Sequence, residues 1–237
     1  YYKYHFRYTG KDYQSGFGHQ VLGQSWVGHY GRNHQQSTRI DIIPEKKKHP
    51  ILRGVSKVHV QAGGYNAEAQ KDWDILTMAQ PLMTMKPDGA ADKTKPPMAS
   101  EWTRYYNGKN GKKGRVFTSL YGASEDILNP GYRRMIINGV YWTLSLENQI
   151  KPDSKIDFVG AYKPTTFKNR GEVKGLKPSI YVKLDSPIPG KPNTKSTSPK
   201  ASSQSSLPEG RFLRITVPGD NKILTLNEVE IMSGGKN

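Results

Sequence analysis

The chain has 237 residues, enough for one full domain with appendages or two small ones. With 34% hydrophobic residues, 24 Gly and 16 Pro, much of it is expected to be loop, whereas 14 Tyr and 4 Trp require a true core. A formal net charge of +16 favours polyanions and acidic surfaces, but the lysines are scattered through loops (residues 45–48 and 109–113) without interleaved aromatics, so nucleic acid is not an expected partner. The absence of cysteine excludes disulfides, Cys-ligated metals and a Cys nucleophile within this chain, and no apolar run of about 18 residues offers a membrane span.

Residues 1–37 are rich in Gly, His, Gln and aromatics, and residues 16–23 suit a short helix. Residues 38–43 alternate and stop at Pro44, the pattern of a strand. Residues 49–55 read as a turn, residues 58–61 as a second strand closed by Gly63 and Gly64, and residues 75–79 as a third. In that second strand His59 alternates with Val58 and Val60 and is expected to face solvent. Residues 83–100 are polar and Pro-rich, which predicts a long loop. A strand at 102–106, a hairpin turn at 108–114 and a buried strand at 114–120 follow.

The clearest helix is predicted over 130–146, with Asn129 as N-cap and Pro130 at its first position. Its apolar side chains at Tyr132, Ile136, Ile137, Val140, Tyr141 and Leu144 predict one buried face. Arg133 and Arg134 sit in the first turn, where the helix dipole disfavours cations, so an acidic partner is expected for them. Residues 151–189 read as extended and irregular, and 190–209 as a Ser, Pro and Lys linker. Two alternating strands, 211–217 and 223–232, close the chain around a turn at 218–221; two strands cannot bury a core alone, so they need a partner.

Several stretches in the right order resemble ThuA-like (trehalose-utilisation) proteins, most closely the large secreted multidomain versions. They are residues 16–23, 26–31 and 33–39, the turn at 49–55, and residues 114–124 followed by 133–139. The resemblance covers roughly residues 1–170. It implies an α/β, flavodoxin-like fold related to class I glutamine amidotransferases and present in part, since the family's usual first strands and helices would precede residue 1. That missing half, or another chain of an assembly, is then an expected partner. The family lacks the amidotransferase nucleophile, in agreement with the absence of Cys here. Residues 210–237 resemble the start of a discoidin-type (galactose-binding-like) β-sandwich, joined through residues 171–209. The resemblance further implies a periplasmic or secreted protein of carbohydrate metabolism that acts on or binds a sugar or keto-sugar.

The candidate chemistry lies in two loops. The stretch 29–36 is the densest polar and aromatic cluster, with His29 and His34 as candidate general bases and Tyr30 and Gln35 as candidate contacts to a polyol. Residues 121–126 follow a strand and precede the helix, where open sheets bind ligands; Tyr121 and Ser124 are the candidates there, and Tyr65, after Gly63 and Gly64, is placed to line the same mouth. The alternative is a non-catalytic binding or structural module in a secreted assembly. The enzyme reading requires His29, His34, Tyr65 and Tyr121 to converge on one concavity. None of the six histidines shows the spacing of a zinc motif, no phosphate loop or G-x-S-x-G elbow is present, and no cofactor is expected.

Overall fold

The computed structural model describes residues 1–108, 111–158, 160–166 and 175. The chain divides into two units, Tyr1–Asn193 and Thr194–Asn237, and the described residues all belong to the first. The linker expected at 190–209 and the strands expected at 211–217 and 223–232 lie outside the described residues, as does most of the stretch 151–189.

Five strands form one sheet: β1 (Thr38–Ile42), β2 (Val58–Val60), β3 (Asp74–Pro81), β4 (Met98–Asn107) and β5 (Lys113–Ser119). Their order is β2-β1-β3-β4-β5, and every neighbouring pair is antiparallel. A flavodoxin-like sheet runs its strands parallel through helical crossovers. Here no α-helix lies between any two strands; the connections are irregular loops, short 3-10 turns and a tight hairpin, and such links return the chain antiparallel. The fold is therefore a mixed one, short helical elements around a curled antiparallel sheet. Among the described residues the single α-helix, α1 (Pro130–Thr143), follows β5 and packs against both edge strands, β2 and β5, so the sheet curls around it.

The strand at β4 begins at Met98, inside the stretch expected to be loop. Ser100, at the end of that stretch, and Glu101, between it and the strand expected at 102–106, are both fully buried. Cross-strand hydroxyls satisfy them: Thr77 and Ser100 hydrogen-bond one Glu101 carboxylate oxygen, and Ser119 donates to the other at 2.9 Å. Register places Thr77, Glu101 and Ser119 side by side on β3, β4 and β5.

The helix starts where expected, with the Asn129 side chain accepting from the Tyr132 N–H at 2.9 Å, and ends at Thr143. Its buried face overlaps the predicted one only at Tyr132 and the partly buried Ile136. Gly131, Tyr132, Met135, Asn138, Gly139 and Trp142 face inward, while Val140, Tyr141 and Leu144 are exposed. Close approach decides the rotation. A Cβ on Gly131 would lie 2.1 Å from the Ser56 carbonyl oxygen, and one on Gly139 would lie 2.3 Å from the Phe117 ring. Asn138 donates to the carbonyls of Ile51 and Arg53 at 2.9 and 3.0 Å, tying the helix to the turn before β2. Against this face pack Ile40, Ile51, Leu52, Val58, Val60 and Leu76, each worth about 1.5–3 kcal/mol of transfer free energy when fully buried.

Arg133 and Arg134 find no carboxylate among the described residues. Arg133 donates to the carbonyls of Ile127 and Ile156 and lies 4.3 Å from the Phe158 ring centre; Arg134 donates to the Ser154 carbonyl. Backbone carbonyls from the segments before and after the helix take the place of the expected acid. His59 is half-buried rather than solvent-facing, because its Nε2 meets the hydroxyl of the fully buried Ser37 at 2.9 Å. On the other face of the sheet Trp73 and Trp102 stack at 3.8 Å. The Leu22 carbonyl, at the end of a π-helical turn (Gly18–Leu22), accepts from Trp102 Nε1 and Thr118 Oγ1, while Arg104 caps the carbonyls of residues 19–21. These bonds anchor the N-terminal segment on β4 and β5. No helix among the described residues is long and apolar enough to cross a membrane.

Candidate functional site

Because neighbouring strands alternate in direction, the carboxyl ends of β2, β3 and β5 emerge at one end of the sheet. The segment before β1 returns to that end and pairs with the segment after β2. Asn66 N–H donates to the Gly28 carbonyl, Tyr30 N–H to Gly64, and Gly31 N–H to Gly63, at 2.9, 3.0 and 2.8 Å. His29 and Tyr65 thereby oppose each other as a non-hydrogen-bonded antiparallel pair, the arrangement that brings side chains closest, and their ring centres lie 5.4 Å apart. The pairing depends on glycine: a Cβ on Gly31 would fall 2.2 Å from the Gly63 carbonyl oxygen.

Asp126 locks the opposite wall. Its carboxylate accepts from the Gln61 N–H at 2.7 Å, beyond β2, and from the Gly122 and Ala123 N–H groups at 3.2 and 3.0 Å, beyond β5. The two outermost strands are thus joined through one buried side chain. Burial raises the Asp126 pKa above the ordinary carboxylate value, opposed by these three donors. Since the amides of Gly122 and Ala123 are engaged by Asp126, they do not form an oxyanion-binding pair.

Four of the candidate residues, His29, His34, Tyr65 and Tyr121, line one open pocket of about 490 Å³, with Asn33, Gln61 and Glu125 beside them. They come from three loops, after β2, after β5 and before β1. Tyr121 points its hydroxyl inward, against Thr38 and Gly64; a Cβ on Gly64 would sit 2.6 Å from that oxygen, and Gly64 has φ +84°. Burial, followed by the charge of Glu101, pushes the Tyr121 pKa up, so the phenol stays a neutral donor. Behind the wall, Ser119 links the Tyr121 backbone N–H, the Tyr132 hydroxyl and Glu101. Burial raises the Glu101 pKa against its three hydroxyl partners. His34 is held at φ +64° in a turn fixed by Gln36, which bonds Arg32 N–H and the Asp92 carboxylate.

The other three candidates do not line the pocket. In the extended segment side chains alternate, so His29 faces the pocket and Tyr30 faces away, its hydroxyl donating to the Pro96 carbonyl at 2.6 Å. Gln35 is exposed outside the lining, next to the buried Gln36. Ser124 donates to the Thr165 carbonyl at 3.0 Å, and Tyr162 donates to the Ser124 carbonyl. Asn33, Gln61 and Glu125 enter the site without having been singled out from the sequence. Asn33 and Glu125 adjoin candidates that were, whereas Gln61 is brought in by the Asp126 bond.

A second groove, of about 590 Å³, lies along β1 and β2 and contains none of the candidates. Its charges are mixed: Lys47 and Lys57 with Asp88, and Arg39 held by Asp41 at 2.9 Å. Among the described residues no group of three or more His, Asp or Glu side chains is placed to hold a metal ion. No family model, curated protein or solved structure matches the chain.

Proposed function

We propose that the pocket binds a sugar or keto-sugar and that the chain is a ThuA-like carbohydrate-handling protein. The observation that carries this reading is the convergence of His29, His34, Tyr65 and Tyr121 on one pocket with two amide-bearing neighbours and one carboxylate-bearing neighbour. Ring faces from Tyr65 and His29 suit the apolar C–H face of a sugar, while Asn33, Gln61, Glu125 and the imidazoles suit its hydroxyls. Imidazole is the side chain best fitted to exchange protons near neutral pH, so His29 and His34 are assigned the general-base role and Glu125 an acidic contact. The sequence resemblance supports the same reading, to which the antiparallel sheet adds nothing.

The test is a thermal-shift screen with monosaccharides and their keto derivatives. A ligand at a hundredfold its Kd is expected to stabilise the protein by about 2.7 kcal/mol. The gain is expected to vanish in His29→Ala and to persist in Ser124→Ala. If no saccharide stabilises the protein, the reading fails. If a sugar binds but is recovered unaltered by NMR after long incubation, the protein is a binding module and not an enzyme.

A further inference from the structure

The chain has four tryptophans, and they are not alike. Trp73, Trp102 and Trp142 are at most 8% exposed, whereas Trp26 is 65% exposed. An indole is the costliest side chain to leave in water, since it can bury on the order of 150–250 Å². Its position is specific. The Trp26 ring meets the His29 imidazole edge to face, with centroids 5.7 Å apart and planes at 76°, and His29 in turn leans on Tyr65 at 5.4 Å. Tyr65, His29 and Trp26 therefore form an unbroken aromatic row that begins in the pocket and runs out of it, because His29 and Tyr65 line the pocket and Trp26 does not.

We propose that this row is a second ring-stacking subsite, so that the pocket's ligand is a glycoside of at least two sugar rings, one in the pocket and the next lying across Trp26. The proposal rests on the sugar reading and narrows its substrate class. The chemistry follows from the geometry. The edge-to-face contact with His29 uses one part of the indole and leaves most of its surface open. An aromatic face attracts the weakly positive C–H face of a pyranose without fixing the pattern of its hydroxyls. The ring in the pocket then supplies selectivity through His34, Asn33, Gln61 and Glu125, and the ring on Trp26 supplies affinity. The backbone bonds that pair residues 28–31 with residues 63–66 begin at Gly28, two residues after Trp26, so the chain leading to the indole is anchored at the rim.

The exposure of Trp26 also supplies the measurement. Trp26 is the tryptophan that acrylamide reaches, so its quenching reports the subsite in the unmodified protein. The probes are glucose and fructose, set against maltose, cellobiose and sucrose. At least one disaccharide is expected to bind about five- to tenfold tighter than its component monosaccharide and to shield the fluorescence from acrylamide. In Trp26→Ala the disaccharide advantage is expected to disappear while monosaccharide binding stays. Equal binding of mono- and disaccharides with no shielding would overturn the subsite and leave the pocket standing. Binding of none of the probes would overturn both. Shielding that grows with protein concentration without saccharide would assign Trp26 to a contact between copies and overturn the subsite as well.

Discussion

The helix face and the pocket wall both rely on glycine, and they use it to different ends. On α1, Gly131 and Gly139 bring the helix backbone against Ser56 and Phe117, and that approach seats Tyr132, Met135 and Trp142 in an apolar cluster. At the pocket, Gly31, Gly63 and Gly64 bring backbone against backbone and against a single phenol, and the result is a set of directional hydrogen bonds. Burial scales with area and tolerates small displacements in direction; hydrogen bonds fix position and add only about 0.5–1.5 kcal/mol each. The helix side should therefore govern stability and the pocket side should govern geometry.

The sharpest way to break that division is Met135→Ala. Met135 is fully buried in the cluster, and its truncation is expected to cost about 2–5 kcal/mol in urea unfolding while leaving saccharide affinity in the folded fraction unchanged. A loss of affinity in the native protein would show that the two regions are coupled. Gly64→Ala should do the converse. Its left-handed backbone makes the substitution cost about 1–2 kcal/mol, but the new Cβ displaces the Tyr121 hydroxyl, so ligand-induced stabilisation is expected to be lost although the protein folds.

Glu101→Gln gives the smallest effect at acid pH and tests the link between the regions. Burial raises the Glu101 pKa, so folding favours its neutral form more than the unfolded chain does. The sign follows: its stabilising contribution is fully present below the ordinary carboxylate pKa and is lost as pH rises through the raised value. The amide stays neutral throughout. The variant is expected to match the parent protein near pH 4 and to gain on it in thermal stability towards pH 8. A constant difference across that range would show that Glu101 is held ionised by its three hydroxyl partners.

Much of the framework was readable from the sequence, for reasons visible in particular residues. Strands β1 and β2 follow apolar alternation, β3 and β5 are short apolar runs, and Asn129 with Pro130 marks the start of α1. Hydropathy failed where small or polar residues are buried. Gly131, Asn138 and Gly139 outrank Val140 and Tyr141 as core-facing residues because contact distance, not side-chain apolarity, sets the helix rotation. Glu101 is buried because Thr77, Ser100 and Ser119 meet it from three positions that are remote or unremarkable in sequence. At the site, His29, His34, Tyr65 and Tyr121 stood out one by one as sugar-binding residue types. The alternation that turns Tyr30 away was hidden, because the pairing of residues 28–31 with 63–66 is between Gly-rich segments that carry no periodic signal.

Asp126 has a further consequence. One carboxylate holds amides from the loops after the first and the last strand in the sheet order, Gln61 on one side and Gly122 and Ala123 on the other. Asp126 lies in the loop after β5, so only the Gln61 bond spans the two loops, and neither can swing out without breaking it and leaving the buried acid one donor short. The two loops at the mouth of the pocket are thus coupled through one bond, and a bound ligand that holds either of them favours the closed position of the other.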